Sequence, residues 1–439
     1  MNKEDAIRLV DQLLSQSGRS LSDVEKAILA GAWDGEKYEQ IVKQTPYSLA
    51  HIRQVGKKLW DVLSETMGQS VTKWNFHHVL EKKLSPVPVF GDCVPNVPRF
   101  YGRGKELADL EAAVDRNQCV VLVGPPGIGK TALTAKLLNS LSAHEWNCVI
   151  WKSAYPVPPL DSLLEELLGF LSESANPDLD SGKSENKESR SSEPTTNVVS
   201  KNSITRLIDR LQARRCLVIL DSAESMRGHQ EYQPFLRQVV GASHRSCFLL
   251  TSEEPFESLE RWRLGGLAAQ TLILKDLDHE SAKRILRDKG LTDEQSWQQL
   301  IEKYGGNPLI LELVANGVKD LFGGHVKEVL AYVTTFYTDL IEELLNRQFN
   351  KFQDLEKQVM ACLAQAKKPL TFAELLKDLT KEGISSSDLV QTLDYLDKRS
   401  LIQIVRSDDQ LTVYQLNSIV RKHTLNRLES EAANLPPVV

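Results

Sequence analysis

The sequence CVVLVGPPGIGKTALTAKLL occupies residues 119–138 and changes character twice. Its first five residues, Cys119–Val123, are mostly β-branched or aliphatic, which predicts a buried parallel strand. A helix-forming run begins at Lys130. The loop between them, residues 124–131, fits the pattern G-x-x-x-x-G-K-[ST], whose glycines leave room for oxygens that a Cβ would exclude. The stretch therefore predicts a phosphate-binding loop between a strand and a helix.

This loop predicts that the protein binds ATP or ADP together with Mg²⁺. Lys130 would reach the β- and γ-phosphates, Thr131 would ligate the metal, and the first N–H groups of the helix would point at the anion. The candidate nucleotide-binding residues of the stretch are Gly124, Pro125, Pro126, Gly127, Ile128, Gly129, Lys130, Thr131 and Ala132.

The composition predicts a soluble protein of roughly three or four domains. The chain has 439 residues, of which 41% are hydrophobic and 26% charged, and 53 bases against 59 acids give a net charge of -6. This charge argues against general attraction to nucleic acid or membranes. The six cysteines lack C-x-x-C spacing and several fall in predicted strands, which favours free thiols in a reducing cytoplasm. No run of 18 apolar residues occurs, so we expect no membrane span.

Residues 1–84 predict three helices with short joints, as in a helix-turn-helix domain. Ser48 would cap the third helix, which carries Arg53, Lys57 and Lys58 as candidate nucleic-acid contacts. The segment holds 12 bases and 11 acids, so its overall field is nearly neutral. Two interpretations stay open, a protein-binding adaptor and a DNA-binding module. We favour the adaptor, because acids occupy the segments just before the basic helix.

Residues 85–99 predict a semi-rigid linker, because residues 85–98 contain four prolines. A nucleotide-binding domain of residues 100–275 follows. Within it, residues 172–203 are rich in Ser, Glu, Lys and Asn and contain no aromatic residue. Such a composition buries too little apolar surface to offset the entropy of ordering, so we expect a disordered insertion there.

Strands alternate with helices across the nucleotide-binding domain and predict an α/β fold with a doubly wound parallel sheet. The further predicted strands are residues 148–152, 216–220, 247–250 and 271–274. Asp221 follows one of them, at the carboxyl end where an open parallel sheet binds its ligands. We therefore expect Asp221 to lie on the Mg²⁺ side of the site.

Two smaller domains are predicted after the sheet. Residues 276–348 indicate a helical domain that contains the turn Gly306-Asn307-Pro308-Leu309. Residues 349–430 predict three helices followed by two strands, 401–405 and 411–416, which is the winged-helix pattern. Residues 431–439 form a tail.

The order of these parts resembles the NB-ARC branch of the STAND class of signal-transducing P-loop ATPases. The N-terminal segment is similar to the helix-turn-helix domain that precedes such ATPases in many cyanobacterial proteins. The resemblance rests on Tyr101-Gly102-Arg103, on residues 124–131 and on the Gly306–Leu309 turn. It implies that Tyr101, Gly102, Arg103 and Thr251 bind nucleotide and that Pro308 packs on adenine. It also implies a closed ADP state that opens and oligomerises with ATP.

Three departures from the family pattern weaken the expected hydrolysis. Ser222 stands where the family has a second acid, which leaves Glu224 beside Lys130 and Asp221 as the remaining catalytic candidate. Glu253 stands where the family often has an arginine that senses the γ-phosphate, and a carboxylate there would repel that group. Asn417 aligns with the family's histidine that touches the ADP β-phosphate.

We therefore expect a regulatory switch that binds ADP or ATP, hydrolyses ATP slowly or not at all, and forms nucleotide-dependent homo-oligomers. An unknown protein partner would transmit the signal. The alternative is a DNA-binding regulator in which the ATPase module controls oligomerisation. The resemblance also implies sensor repeats after the winged helix, so we expect either a partner that senses the signal or a shortened form.

Overall fold

A computed structural model describes residues 3–15, 19–67, 70–77, 79–80, 87–142, 145–173, 196–332, 335–379, 384–406 and 411–433. The chain divides into two compact units. One unit contains Met1–Pro88 and Leu141–Cys148, and the other contains Val89–Ser140 and Val149–Val439.

The first unit is helical. Its helices are α1 Lys3–Ser15, α2 Asp23–Trp33, α3 Tyr38–Lys43 and α4 Leu49–Met67. Their apolar faces enclose a core that includes the fully buried Ile28, Ile52 and Leu59. The His51 N–H donates to the Ser48 hydroxyl at 3.3 Å, so Ser48 caps α4 as the sequence predicts. The predicted helix-turn-helix region is confirmed, although the described residues form at least four helices where the sequence analysis predicts three.

The second unit begins with a six-stranded parallel sheet of order β1-β3-β4-β5-β2-β6. Its strands are β1 Val89–Gly91, β2 Cys119–Val123, β3 Cys148–Ser153, β4 Cys216–Asp221, β5 Cys247–Ser252 and β6 Ala269–Ile273. The helices around it are α5 Gly104–Arg116, α6 Lys130–Leu137, α7 Leu160–Glu173, α8 Thr196–Ala213, α9 Tyr232–Val240 and α10 Glu257–Leu264. Every residue of β2 and β5 is buried, as expected for central strands covered on both faces. The predicted α/β fold is confirmed.

Strand β1 lies inside the segment that the prolines predict to be a linker. Val89, Phe90 and Gly91 pair with residues of β3 in parallel register, and the Phe90 ring stacks on Phe170 at 6.4 Å. The interpretation of this part as unpacked was wrong, because three residues between prolines are enough for an edge strand, where proline is tolerated.

The predicted insertion at residues 172–203 is shorter at both ends. Ser172 and Glu173 complete α7, and residues 196–203 form the first part of α8. Composition predicted disorder there because these residues are polar, but a polar segment continues a helix that is anchored elsewhere. In α8 the anchors are the buried Leu207 and Leu211. The remainder, residues 174–195, lies outside the described residues.

The rest of the second unit is a helical part followed by a winged helix. Its helices are α11 His279–Asp288, α12 Trp297–Tyr304, α13 Pro308–Phe322, α14 Val326–Tyr332, α15 Asp339–Phe349, α16 Asp354–Gln365, α17 Phe372–Leu379, α18 Ser386–Lys398 and α19 Ser418–Ala433. The strands β7 Leu370–Thr371, β8 Gln403–Arg406 and β9 Thr412–Gln415 form an antiparallel sheet of order β7-β9-β8. One apolar core runs from Leu277 to Val420. Strand β7 is not predicted from the sequence, since its two residues carry too little pattern to indicate a strand.

None of the described helices is long and apolar enough to span a membrane.

Candidate functional site

The phosphate-binding loop joins β2 to α6 and adopts a backbone shape that requires glycine. Gly127 and Gly129 have φ angles of 77° and 101°, in the left-handed region. The Lys130 ammonium donates to the carbonyls of Gly124 at 2.8 Å and Pro125 at 3.2 Å. The lysine is thus folded back over the loop, where a nucleotide would replace these carbonyls with phosphate oxygens.

Lys130 also sits among acids. Burial lowers the pKa of its ammonium, and the carboxylates of Glu253, Glu224 and Asp221 oppose that shift. The structure therefore brings the three catalytic candidates, Lys130, Asp221 and Glu224, into one electrostatic environment.

The candidate metal ligands meet at the carboxyl end of β4. The Thr131 hydroxyl donates to Asp221 Oδ1 at 2.9 Å, and the Thr251 hydroxyl donates to the same oxygen. The Ser222 N–H donates to the Thr251 hydroxyl at 2.9 Å and fixes its orientation. Hydroxyl and carboxylate oxygens are the donors that Mg²⁺ prefers, so Thr131 and Asp221 fit this ion.

Glu224 follows Asp221 in a short 3₁₀ helix, Ala223–Gly228. Its Oε2 accepts a hydrogen bond from the Glu253 N–H at 3.2 Å. Burial is the main cause that raises the pKa of Glu224, and the Glu253 carboxylate adds to the effect. Glu224 is thus a carboxyl group whose proton affinity is raised at the site, as a general base requires.

A cavity of about 220 Å³ opens beside the loop. It brings together Tyr101, Arg103, Gly127, Ile128, Gly129, Ala132 and Pro308, all of them predicted from the sequence. It also takes in Arg99, Phe100, Leu277, Leu309 and Glu312, which the sequence argument did not single out. The only signal for Arg99 and Phe100 was their position next to Tyr101. The apolar walls suit the flat ring of a base.

The turn at the start of α13 is bonded directly to the loop. The Asn307 amide donates to the Pro126 carbonyl at 3.0 Å, and the Leu309 N–H donates to the Gly127 carbonyl at 3.4 Å. A Cβ on Gly127 would lie 2.7 Å from the Leu309 Cβ, so this approach requires glycine in the loop. The helical part therefore forms one wall of the cavity.

The Tyr101-Gly102-Arg103 segment makes a second link between the same two parts. The buried Arg103 guanidinium donates to the Ile128 carbonyl at 3.4 Å, while the Tyr101 hydroxyl donates to Asp288 of α11 at 2.9 Å. A Cβ on Gly102 would lie 2.3 Å from the Ser281 hydroxyl oxygen, which explains the small residue.

Asn417 does not line this cavity. Its Oδ1 accepts a hydrogen bond from the Val420 N–H at 2.9 Å, and it caps α19. Its Nδ2 lies 3.3 Å from the place that a Cβ on Gly305 would occupy. The structure thus places Asn417 beside the turn that precedes α13.

Glu253 has partners that sequence reasoning missed. It is 7% exposed, Lys351 donates to its Oε2 at 2.8 Å, and Arg347 Nη2 lies 3.7 Å from its Oε1. These two cations from the C-terminal part partly balance the charge of Glu253. The Glu253 carboxylate still contributes to raising the pKa of Glu224, so its repulsion of a γ-phosphate stays a prediction. No local motif around either cation signals this contact.

Glu254 forms a second bridge to the winged helix. Arg227 and Arg399 both donate to its carboxylate, and Arg399 is 3% exposed. We use the term carboxylate latch for Glu253, Glu254, Lys351 and Arg399. The latch joins the end of β5 to the C-terminal helices at the phosphate side of the site.

The helix-turn-helix unit carries the three candidate nucleic-acid contacts on α4. Arg53 forms an ion pair with Glu39 at 2.7 Å, so this candidate nucleic-acid contact is already paired. Lys57 and Lys58 are exposed on α4.

Comparison with known families agrees with these observations. Residues 1–83 match the vWA-MoxR associated protein N-terminal HTH family, and residues 99–246 match the AAA ATPase domain family. The chain carries an AAA-type P-loop ATPase domain. Its helix-turn-helix domain precedes this ATPase domain.

An uncharacterized WD repeat-containing protein of Nostoc sp. is 33% identical over 333 residues, which are 70% of this chain and 25% of the relative. The match thus spans a quarter of the length of that relative. A Walker-type ATPase of Pyrococcus abyssi has a TM-score of 0.50 at 18% identity and covers 76% of this chain and 99% of its own. This likeness shows the fold alone.

A STAND protein of Pyrococcus horikoshii with a tetratricopeptide repeat sensor is also similar. Its TM-score is 0.37 at 16% identity, and the match covers 79% of this chain and 47% of that one.

Proposed function

We propose that the protein is a regulatory switch of the NB-ARC branch of the STAND ATPases, which binds ADP or ATP with Mg²⁺. The observation that carries the proposal is the hydrogen bond from Asn307 to the Pro126 carbonyl. A residue of the helical part thereby holds the phosphate-binding loop itself. Nucleotide in the adjacent cavity would touch both parts, so its binding energy depends on how they are arranged.

The carboxylate latch supplies the difference between ADP and ATP. A γ-phosphate near Lys130 would add negative charge beside Glu253, which favours separation of Glu253 from the site. The same charge would attract Lys351 away from Glu253. ATP therefore weakens the latch, and ADP leaves it intact.

We infer that hydrolysis is slow. Ser222 offers no second acid after Asp221, and the base role falls to Glu224, whose carboxylate is occupied by the Glu253 N–H. Slow hydrolysis keeps the ATP state populated long enough to signal.

Oligomerisation is the expected output of opening. The mass of the full chain should be measured by light scattering after gel filtration, with Mg²⁺ and either ADP or a non-hydrolysable ATP analogue. We expect monomers with ADP and larger assemblies with the analogue. Identical masses in both nucleotides would contradict the switch. Asn307→Ala should reduce the difference in mass between the ADP and analogue samples. Asn426→Ala on α19 is the control and should leave that difference unchanged.

We also propose how the signal is sensed and in which cellular compartment the protein acts. The Nostoc relative is named as a WD repeat protein, which supports a repeat module or partner protein as the sensor. None of the six cysteines, all of them among the described residues, forms a disulfide, which supports a reducing cytoplasm.

For the helix-turn-helix unit we propose a protein-binding adaptor, because Arg53 is paired with Glu39. DNA binding is the second candidate, supported by the matched family and by the exposed Lys57 and Lys58. Duplex binding by the full chain should be titrated against salt. If DNA is the partner, Lys57→Ala with Lys58→Ala would reduce the log–log salt slope by about 0.9 for each phosphate that the variant no longer neutralises. The control is Lys26→Ala on α2. Absence of duplex binding at physiological salt would exclude DNA as the partner and favour the protein-binding adaptor.

A further inference from the structure

A second, larger cleft of about 730 Å³ lies in the nucleotide-binding domain. Its walls come from α9, from α10 and from the end of the 3₁₀ helix at Ala223–Gly228 with the residues after it. The side chains that matter here are Arg227, Arg237, Ser258 and Arg261. None of the lining residues of this cleft lines the 220 Å³ cavity beside the phosphate-binding loop.

The cleft is positively charged. Arg227, Arg237 and Arg261 contribute three guanidinium groups, and the lining residues include no Asp or Glu. Arg227 forms an ion pair with Glu254. Arg237 and Arg261 form no ion pair within the part of the chain that the structure describes. Two guanidinium groups without a carboxylate partner, one from each of two helices that line the cleft, suit an oxyanion, which they would bind with strong, charge-assisted hydrogen bonds.

A buried hydroxyl lies on the same wall. Ser258 is 7% exposed, and its Oγ has no hydrogen-bond partner among the residues that the structure describes. Leaving a buried polar atom unpaired costs free energy, which a ligand oxygen at this position would recover.

The neighbouring acids limit where an anion can lie. An adjoining space of about 300 Å³ shares Arg227, Ser258 and Arg261 with the cleft and ends at Glu224 and Glu254. Two carboxylates at that end repel an anion. The anion therefore belongs at the outer end, between α9 and α10.

We propose that this cleft binds a phosphate-bearing small molecule, with the phosphate between Arg237 and Arg261 and within reach of the Ser258 hydroxyl. The volume is that of a small-molecule site. Gln233 and Gln238 on α9 offer amide groups to the polar body of such a ligand. The site is separate from the loop at residues 124–131, and one of its lining residues, Arg227, also pairs with Glu254 of the carboxylate latch.

Calorimetry of the full chain tests this site with inorganic pyrophosphate as the probe, in saturating Mg²⁺ and ADP so that the phosphate-binding loop is filled. We expect one pyrophosphate to bind, Arg261→Gln to lower the affinity at least about tenfold, and Ser258→Ala to lower it about threefold. Arg263→Gln is the matched control on the same helix, because Arg263 pairs with Glu260 and does not line the cleft.

Three results would overturn the proposal. The first is no pyrophosphate binding at millimolar concentration, and the second is an equal drop in affinity in Arg261→Gln and Arg263→Gln. The third is equally tight binding of tricarballylate, since that would show a general attraction for anions. The melting temperature of Ser258→Ala should match the wild type, which separates a local effect at the cleft from unfolding of the protein.

Discussion

The phosphate-binding loop and the carboxylate latch flank the same lysine and are built in opposite ways. Lys130 finds its carbonyl partners only 6 and 5 residues earlier in the chain. Glu253 and Glu254 find theirs, Lys351 and Arg399, at separations of 98 and 145 residues. The Lys130 contacts therefore lie within the strand–loop–helix unit itself. The latch exists only while the nucleotide-binding domain and the C-terminal helices are together.

The two regions also differ in how they carry charge. The loop offers backbone groups and one lysine to a ligand that brings its own negative charge. The latch buries charges of both signs, and Arg399 is almost fully removed from water. Attraction within such a pair roughly balances the cost of desolvating it. Removing one partner therefore leaves an uncompensated buried charge and strongly destabilises the protein. We infer that the loop binds the nucleotide and that the latch opens or stays closed according to whether ATP or ADP is bound.

The largest predicted effect comes from Glu254→Ala. This change leaves Arg399 buried without its carboxylate, and we expect a destabilisation of about 3 kcal/mol or more. Thermal or urea unfolding would measure it. The control, Glu260→Ala, removes an exposed pair with Arg263 and should cost under about 1 kcal/mol. Equal effects of the two changes would show that the latch is not a stabilising contact.

Next in size is Lys130→Ala. It removes the cation of the loop, so affinity for ADP and ATP should fall at least about tenfold, or about 1.4 kcal/mol. Calorimetry checks this value. Lys105→Ala, at an exposed position of α5, is the control and should bind normally. Unchanged affinity in Lys130→Ala would show that the nucleotide does not bind at this site.

How far the sequence predicts each region follows from the same contrast. The loop, Tyr101 and Pro308 could be found because short motifs carry them, and the structure gathers them around one cavity. Lys351 and Arg399 could not, because an ion pair depends on tertiary positions that no local pattern encodes. Glu253 illustrates this limit, since its partner Lys351 follows α15 and lies 98 residues later in the chain.

The predictions of a linker at β1 and of disorder at both ends of the insertion were wrong for a related reason. Composition describes what a segment does by itself, whereas Val89–Gly91 gains its conformation from pairing with β3. Residues 196–203 likewise extend a helix whose buried anchors come later in the sequence.

A smaller effect concerns the pH dependence of ATP hydrolysis. The Glu253 carboxylate helps to raise the pKa of Glu224, so Glu253→Gln should lower that pKa. A general base must be ionised, and its rate falls as the pH drops through its pKa. The decline of the residual hydrolysis rate should therefore move to lower pH in Glu253→Gln. Single-turnover assays across pH would show it, with Glu260→Gln as the control. An unmoved or upward-shifted profile would exclude Glu224 as the base.

Hydrogen exchange of the full chain tests whether the nucleotide state controls the carboxylate latch. The amides to follow are residues 345–352 and 396–400, which carry Lys351 and Arg399. With Mg²⁺ and ADP we predict slow exchange in both segments. With a non-hydrolysable ATP analogue we predict faster exchange there and no change in α16, which lies between them in sequence and forms part of the C-terminal core. Identical exchange of both segments in the two nucleotides, at saturating concentrations of each, would show that the nucleotide does not control the carboxylate latch.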